Sequence, residues 1–206
     1  MKKNTLTFIF AVGALIFFSQ LSAQENPLSV GFKAGTGLSN YRLSGDMKSF
    51  TSKMSIGGSV GGFVKYDLSS NFALQSGIDL YYSTSKLDSK VDKSSNKLKS
   101  LGVEIPLYGI VQGKLGSGKA FIGAGPYVGY GISMKSNGVN LFKNSNEAGK
   151  LVMNRFDYGL GGIAGYDFDK NWQINASYQL GIADLLKGKG GSMKNHGISV
   201  GIAYKF

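Results

Sequence analysis

Few residues in this chain could carry out chemistry. There is one histidine, His196, and no cysteine, so a thiol nucleophile, a cysteine metal site and a multi-histidine metal centre are excluded. Three carboxylates, Asp79, Glu104 and Asp157, could pair as acid and base. Alternatively, they neutralise basic groups inside a closed fold, because buried charges need partners. With no convincing Ser-His-Asp set, the sequence predicts no enzyme, no metal and no cofactor.

The segments that hold these residues alternate between two faces, and the last one shows the pattern most clearly. From Asn195 to Phe206, His196 and every second residue after it form an apolar face, as side chains do in an extended strand. The opposite face is small or polar. The same alternation recurs in seven further segments, at about 28–39, 56–66, 72–85, 101–112, 122–134, 156–168 and 172–182.

Eight such segments are each long enough to cross a bilayer, which takes about 9 to 11 tilted residues. Three short turns alternate with four long loops, as in outer-membrane barrels, where the short turns face the periplasm. The sequence therefore predicts an all-β fold, an eight-stranded antiparallel up-and-down transmembrane β-barrel in the bacterial outer membrane. A lipocalin-like soluble barrel is the rival, and its apolar face would point inward. Pro106, which has no N–H to donate, predicts a bulge in the middle of its strand.

Charges inside the predicted strands all fall on the inward face. An outward Lys or Arg near the midplane would cost about 2 to 4 kcal/mol, so this distribution favours the membrane barrel. The predicted polar network of the lumen consists of Lys33, Lys65, Asp79, Glu104, Arg155, Asp157 and Lys205.

The four long loops hold fourteen basic and five acidic residues, and this balance of +9 accounts for most of the formal net charge of +11. One loop, 86–100, is rich in lysine and serine, and it predicts a basic loop patch of Lys86, Lys90, Lys93, Lys97 and Lys99. The patch either contacts lipopolysaccharide phosphates and outer-membrane lipid by charge attraction, or it is solvated and disordered. We expect no nucleic-acid partner and a monomeric protein.

The N-terminus has the three parts of a secretory signal peptide. Lys2 and Lys3 precede an apolar run from Leu6 to Phe18, and Ala23 offers a small residue before the cleavage site. The run is too short to span a bilayer as a helix. The predicted domains are a signal peptide, residues 1–23, and an outer-membrane β-barrel domain, residues 24–206.

Several segments resemble the PorT-like outer-membrane β-barrel domain family over essentially the whole mature chain. The more specific ones are Val103-Glu104-Ile105-Pro106-Leu107 and Gly125-Pro126-Tyr127-Val128-Gly129-Tyr130. The resemblance implies an eight-stranded barrel whose closing residues, Tyr204 and Phe206, form a signal read by the outer-membrane insertion machinery. It implies no chemistry.

The function predicted from these features is a structural or binding role in the cell envelope, with a mostly plugged lumen and basic extracellular loops. An eight-stranded barrel is only wide enough inside for side chains or one small ligand. One alternative is a narrow pore for small solutes, which the inward glycines leave room for. Another is an accessory factor in protein secretion, a role known for one member of the family it resembles. A hydrolase comes last, for lack of residues.

Overall fold

A computed structural model describes residues 27–90, 95–136, 138–142, 152–187 and 190–206. The predicted signal peptide and Lys93 of the basic patch lie outside the described residues. Within the described ranges, no helix has the length and apolar character needed to cross a membrane.

Eight long antiparallel strands form one sheet that closes on itself. They are β1 (Leu28–Gly45), β2 (Phe50–Asp67), β3 (Phe72–Ser89), β4 (Ser95–Leu115), β5 (Gly118–Ser136), β7 (Phe156–Asp167), β8 (Trp172–Gly181) and β9 (Gly191–Lys205). A two-residue strand, β6 (Val139–Asn140), pairs with the end of β5, and a 3-10 helix (Asp46–Ser49) joins β1 to β2. Each strand pairs with its neighbours along the chain, and β1 pairs with β9 to close the ring. The predicted eight-stranded barrel is confirmed.

The two faces of the sheet point as the alternation predicts. Ile198, Val200 and Ile202 of β9 are 48%, 54% and 56% exposed on the outer surface. Lys33 and Asp79 point inward, with side chains only 18% and 14% exposed. The lipocalin-like alternative is therefore wrong, because its apolar face would be shielded inside the barrel.

The register is unbroken around Pro106, so the predicted bulge there is wrong. Ser76 lies opposite Leu107 and Asp79 lies opposite Glu104, which is one continuous alignment of β3 with β4. The irregularity of β4 instead lies between Leu101 and Gly102, where the pairing with β5 shifts.

Two of the predicted loops are mostly strand. We call the height over which the outward residues are apolar, Leu101 to Val111 on β4, the apolar band. The segments 40–55 and 86–100 continue β1, β2, β3 and β4 far beyond this band. Only short connections remain between these strands. Inward apolar residues such as Tyr41, Leu87 and Leu98 occur at intervals among the polar ones and are buried. Because they pack against one another, strand pairing continues where the outer face is polar. Lys86, Lys97 and Lys99 consequently lie on strands, which corrects their prediction as loop residues.

The two ends of the barrel differ. The turn end carries the short turns 68–71, 116–117 and 168–171 together with both ends of the sheet, Leu28 and Lys205. The hairpin end carries the longer connections. There β8 stops at Gly181, while β9 continues to Gly191 paired only with β1. The extension above the band is therefore a curved wall made of β9 and β1 to β5.

The described residues 141–142, 152–155 and 182–187 lie at the open side of that wall. Met153 donates its backbone N–H to Leu141 O at 2.9 Å, and Asn154 donates to Leu185 O at 2.7 Å. Leu185 in turn donates its N–H to Met193 O of β9 at 2.9 Å. These bonds hold the connecting segments against the inner face of the wall.

Candidate functional site

A network of charges lies across the lumen at the turn end. Lys65 and Lys205 both lie near Asp167 Oδ2, with Nζ–O distances of 3.4 and 3.0 Å. Lys65 Nζ is also 4.0 Å from Asp67, whose carboxylate accepts a hydrogen bond from Gln112 at 3.0 Å. The network joins β2, β4, β7 and β9. The structure brings two predicted luminal lysines together, but around Asp167, which is not among the predicted network residues.

An apolar layer lies beside this network. It consists of the buried residues Ala73, Tyr108, Ile110, Phe121 and Ile163. Lys65 Nζ lies 5.6 Å from the centroid of the Phe121 ring, so the layer contacts the charges directly. An eight-stranded barrel has an interior about one side chain deep on each wall, and large side chains such as these fill it.

The central part of the lumen holds the three candidate carboxylates. Asp79 forms an ion pair with Lys33 at 2.7 Å. Glu104, opposite Asp79 on the next strand, accepts a hydrogen bond from Gln179. Asp157 accepts hydrogen bonds from Tyr127 at 3.3 Å and from Asn195 at 3.2 Å. Each carboxylate therefore has a polar partner. Among the described residues, however, only Asp79 is paired with a basic group, so the predicted neutralisation is seen for Asp79 and not for Glu104 or Asp157.

Arg155 does not join these carboxylates, contrary to the prediction. Its Nη1 donates hydrogen bonds to the carbonyl oxygens of Gly131 at 3.0 Å and Ile132 at 3.1 Å. Its guanidinium lies 4.6 Å from the centroid of the Phe142 ring. Arg155 precedes the first residue of β7, so it reaches the rim of the hairpin end rather than the central carboxylates.

A cavity of about 150 Å³ lies among the central polar residues. Its lining includes Lys33, Asp79, Glu104, Gln179 and Ser39. Within the described part of the chain, the buried Ser39 Oγ has no hydrogen-bond partner. A polar cavity of this size has room for several water molecules, which bind where buried polar atoms lack protein partners.

The hairpin end of the lumen is filled by a hydrophobic cluster, which we call the apolar cap. Its buried members are Tyr41, Leu87, Leu98, Met134, Leu141, Met153, Leu185 and Met193, and Leu43, Phe142 and Leu186 pack against them. The cap was not predicted, because its residues lie in regions whose polar composition predicts loops. The scattered large apolar residues in them were the available indication.

Asp184 fixes the segment that closes this cap. Its Oδ1 accepts hydrogen bonds from the backbone N–H groups of Leu186 and Met193, both at 3.0 Å. Burial raises the pKa of Asp184, but these hydrogen bonds outweigh that effect and hold its pKa below the ordinary value. The charged carboxylate therefore links the segment 182–187 to β9 by hydrogen bonds.

Basic residues line the outer surface of the hairpin end. Lys53, Lys86 and Lys97 lie opposite one another in one row across β2, β3 and β4. Lys99 lies opposite Lys135 of β5. Arg42 of β1 lies opposite Lys194 of β9. We call the whole set the cationic belt: Arg42, Lys53, Lys86, Lys97, Lys99, Lys135 and Lys194.

The belt contains three of the five lysines predicted as a basic loop patch. Lys90 instead follows the end of β3, where its Nζ donates a hydrogen bond to Lys48 O at 2.9 Å. The other four members of the belt were counted among loop charges, because the sequence alone does not give the register that aligns them.

Aromatic residues surround the C-terminus at the turn end. Phe206 contacts Phe32 and Tyr204 edge to face, with ring centroids 5.5 and 5.6 Å apart. Tyr204 also contacts Trp172 at 5.1 Å. His196 lies on the outer surface against Tyr178 at 6.1 Å, as expected of an interfacial residue. Within the described residues, no three His, Cys, Asp or Glu side chains are grouped so that they could hold a metal ion.

Comparisons with known proteins agree with this architecture. The family model described as outer membrane protein beta-barrel domain matches residues 18–187. Among solved structures, the outer membrane protein OprG from Pseudomonas aeruginosa is similar with a TM-score of 0.52 and 13% identity, over 87% of this chain and 94% of that one. Neisserial surface protein A (NspA) is similar with a TM-score of 0.43 and 16% identity, over 85% and 97% of the two chains. Among curated proteins, no sequence matches this chain.

Proposed function

The chain belongs to the outer membrane protein β-barrel domain family and is located in the bacterial outer membrane, and from that premise we propose a structural or binding role in the cell envelope. In this proposal the protein does not conduct solutes and catalyses no reaction. Its lumen is closed by its own side chains, and its contacts with other molecules are made on the outside.

The observation that carries the proposal is that the lumen is filled at both ends. The apolar cap fills the extracellular hairpin end. At the periplasmic turn end, the network of Lys65, Lys205 and Asp167 lies next to the buried ring of Phe121. Ions passing through would have to cross the dry apolar cap, and an unpaired charge in such surroundings is costly. The cavity between the two ends is then a space inside the barrel rather than part of a channel.

Planar-bilayer recording of the purified, refolded protein tests this proposal. Folding is checked first by heat modifiability on a gel, which reports a closed barrel. We expect the wild-type barrel to give no steady single-channel steps. A variant that thins the cap, Met153→Gly with Leu185→Gly, is expected to admit current if the cap is the barrier. Steady wild-type steps whose size changes in Glu104→Gln would overturn the proposal.

A narrow pore is the second candidate, and the central cavity favours it. Its lining of Lys33, Asp79 and Glu104 would suit small polar solutes. A pore would require the apolar cap to move aside. The recording above therefore separates the two functions.

The finer assignment to the PorT-like family is also our proposal. The Glu104-Ile105-Pro106 motif supports it, together with the aromatic C-terminal pair Tyr204 and Phe206. Recognition of that pair by the insertion machinery is tested by Phe206→Ser, which should reduce assembled barrel in membranes without changing refolding in detergent. The role in secretion remains a prediction, which deletion tests by asking whether cargo stays in the periplasm.

A further inference from the structure

The cationic belt places like charges directly opposite one another on neighbouring strands. The pairs are Arg42 with Lys194, Lys53 with Lys86, Lys86 with Lys97, and Lys99 with Lys135. Like charges at opposed positions of an antiparallel pair destabilise the sheet. Four such pairs on one continuous surface are therefore unfavourable unless an anion shares them.

The described residues supply little of that neutralisation. Asp88 lies 2.6 Å from Lys53 Nζ, and Asp184 interacts electrostatically with Lys194. Every member of the belt except Lys194 is exposed, and Lys194 is partly exposed. Among the described residues, the seven basic groups of the belt outnumber these two carboxylates, so the belt is an accessible positive surface.

The height of the belt on the barrel identifies what lies beside it. On β4 the outward apolar residues run from Leu101 to Val111, which spans about 25 Å at about 3.3 Å per residue and a tilt of about 40°. That is the height of the apolar band of an outer-membrane barrel. Lys99 and Lys97 precede Leu101 by two and four positions on β4, so their backbones lie about 5 and 10 Å above the band along the barrel axis. The headgroup layer is about 5 to 8 Å thick on each side of the hydrocarbon.

We propose that the cationic belt binds the phosphate groups of the lipid in the outer leaflet, with the acyl chains of that lipid lying on the apolar surface below. Neighbouring strands are about 4.8 Å apart, so one phosphate can be reached by ammonium groups on two strands at once. Lysine binds phosphate as a flexible point charge. The apolar residues Leu80, Tyr82 and Leu101 directly below the belt would be adjacent to the chains of the same lipid.

A soluble polyanion fits these observations less well. It would neutralise the charges but would not cover the apolar surface that continues from the belt toward the middle of the barrel. The inference depends on the orientation of the barrel in the membrane and not on whether the lumen conducts. Lipid binding and conductance therefore test it and the proposed function separately.

The test uses the full refolded chain in detergent, titrated with lipid A that carries two phosphates, with native mass spectrometry as the readout. The belt variant is Lys86→Gln with Lys97→Gln. The matched control is Lys114→Gln with Lys119→Gln, which removes an opposed lysine pair at the turn end, between β4 and β5. Each lysine near an anionic surface contributes about 1 kcal/mol, so we expect the belt variant to bind about 30-fold more weakly. The control should stay within about twofold.

A second measurement keeps the test valid if the affinity change is small. Without lipid, the belt variant should unfold at a higher denaturant concentration than wild type, because it loses a repulsive pair. With saturating lipid A the order should reverse. Equal weakening in both variants, equal binding of the dephosphorylated glycolipid, or binding of a soluble sulfated polysaccharide in preference to lipid A would each overturn the inference.

Discussion

Asp167→Asn tests whether the charge network at the turn end holds the barrel together. Asp167 Oδ2 is the shared partner of Lys65 and Lys205, and the three side chains are only 6%, 4% and 9% exposed. Removing the carboxylate leaves two buried ammonium groups, with Asp67 as the nearest acid at 4.0 Å from Lys65. Breaking a buried pair by removing one partner costs about 3 to 5 kcal/mol, so we expect a loss of stability in that range.

The assay is equilibrium unfolding in guanidinium of the barrel refolded in detergent, followed by tryptophan fluorescence of Trp172. The matched control is Asp67→Asn, because Asp67 is in the same network but its side chain is 33% exposed. Partly exposed ion pairs contribute about 0 to 1 kcal/mol, so the control should change little. A cost below about 1 kcal/mol for Asp167→Asn, or equal costs for both variants, would refute the view that the buried carboxylate is required.

Three further predictions follow from the outer surface, the cap and the hairpin end. Ile105→Arg places a charge halfway up the apolar band and should lower the free energy of unfolding by about 2 to 4 kcal/mol, whereas Leu115→Arg at the turn end should lower it by about 0 to 1 kcal/mol. Unfolding of both variants in lipid vesicles measures the difference. Equal losses would contradict the assigned depth of Ile105. Met153→Ala empties a buried position of the cap and should cost about 2 to 5 kcal/mol, measured in the guanidinium assay, while Val139→Ala on the exposed surface should be close to neutral. Asp184 has a lowered pKa in the folded protein, so its contribution is present above its unfolded pKa of about 3.9 and is lost as the pH falls through the folded value. Protease cleavage of the hairpin end should therefore increase in acid for wild type, and Asp184→Asn should be cleaved readily at neutral pH with a weaker pH dependence.

The sequence predicted the membrane-spanning part of the fold because hydrocarbon imposes a simple rule on it. Every outward residue from Leu101 to Val111 must be apolar or small, so the alternation is regular and can be read directly. Above the band that rule ends, because water accepts lysine and serine on the outer face. Leu87 and Leu98 then remain as isolated inward residues, too few to distinguish a strand from a loop.

The candidate sites were predictable by residue type but not by partner. Lys65 and Asp167 are 102 positions apart in the chain, and their contact depends on how the strands are staggered around the ring. The same stagger aligns Lys53, Lys86 and Lys97 in one row. Register between distant strands arises from the packing of the whole barrel, so a single sequence indicates which charges face inward but not which ones meet.

The shape of the hairpin end accounts for both the filled lumen and the basic outer surface. Of the eight long strands, as far as the structure describes them, β9 and β1 to β5 extend above the apolar band, whereas β7 begins at Phe156 and β8 stops at Gly181. The inner face of this wall supplies Tyr41, Leu87 and Leu98 to the cap, while its outer face carries the belt. Because inward and outward residues alternate on the same strands, lengthening these strands provides both features at once. The belt residues lie on six of the eight long strands, so the proposed lipid contact surrounds most of the barrel and leaves out the side formed by β7 and β8.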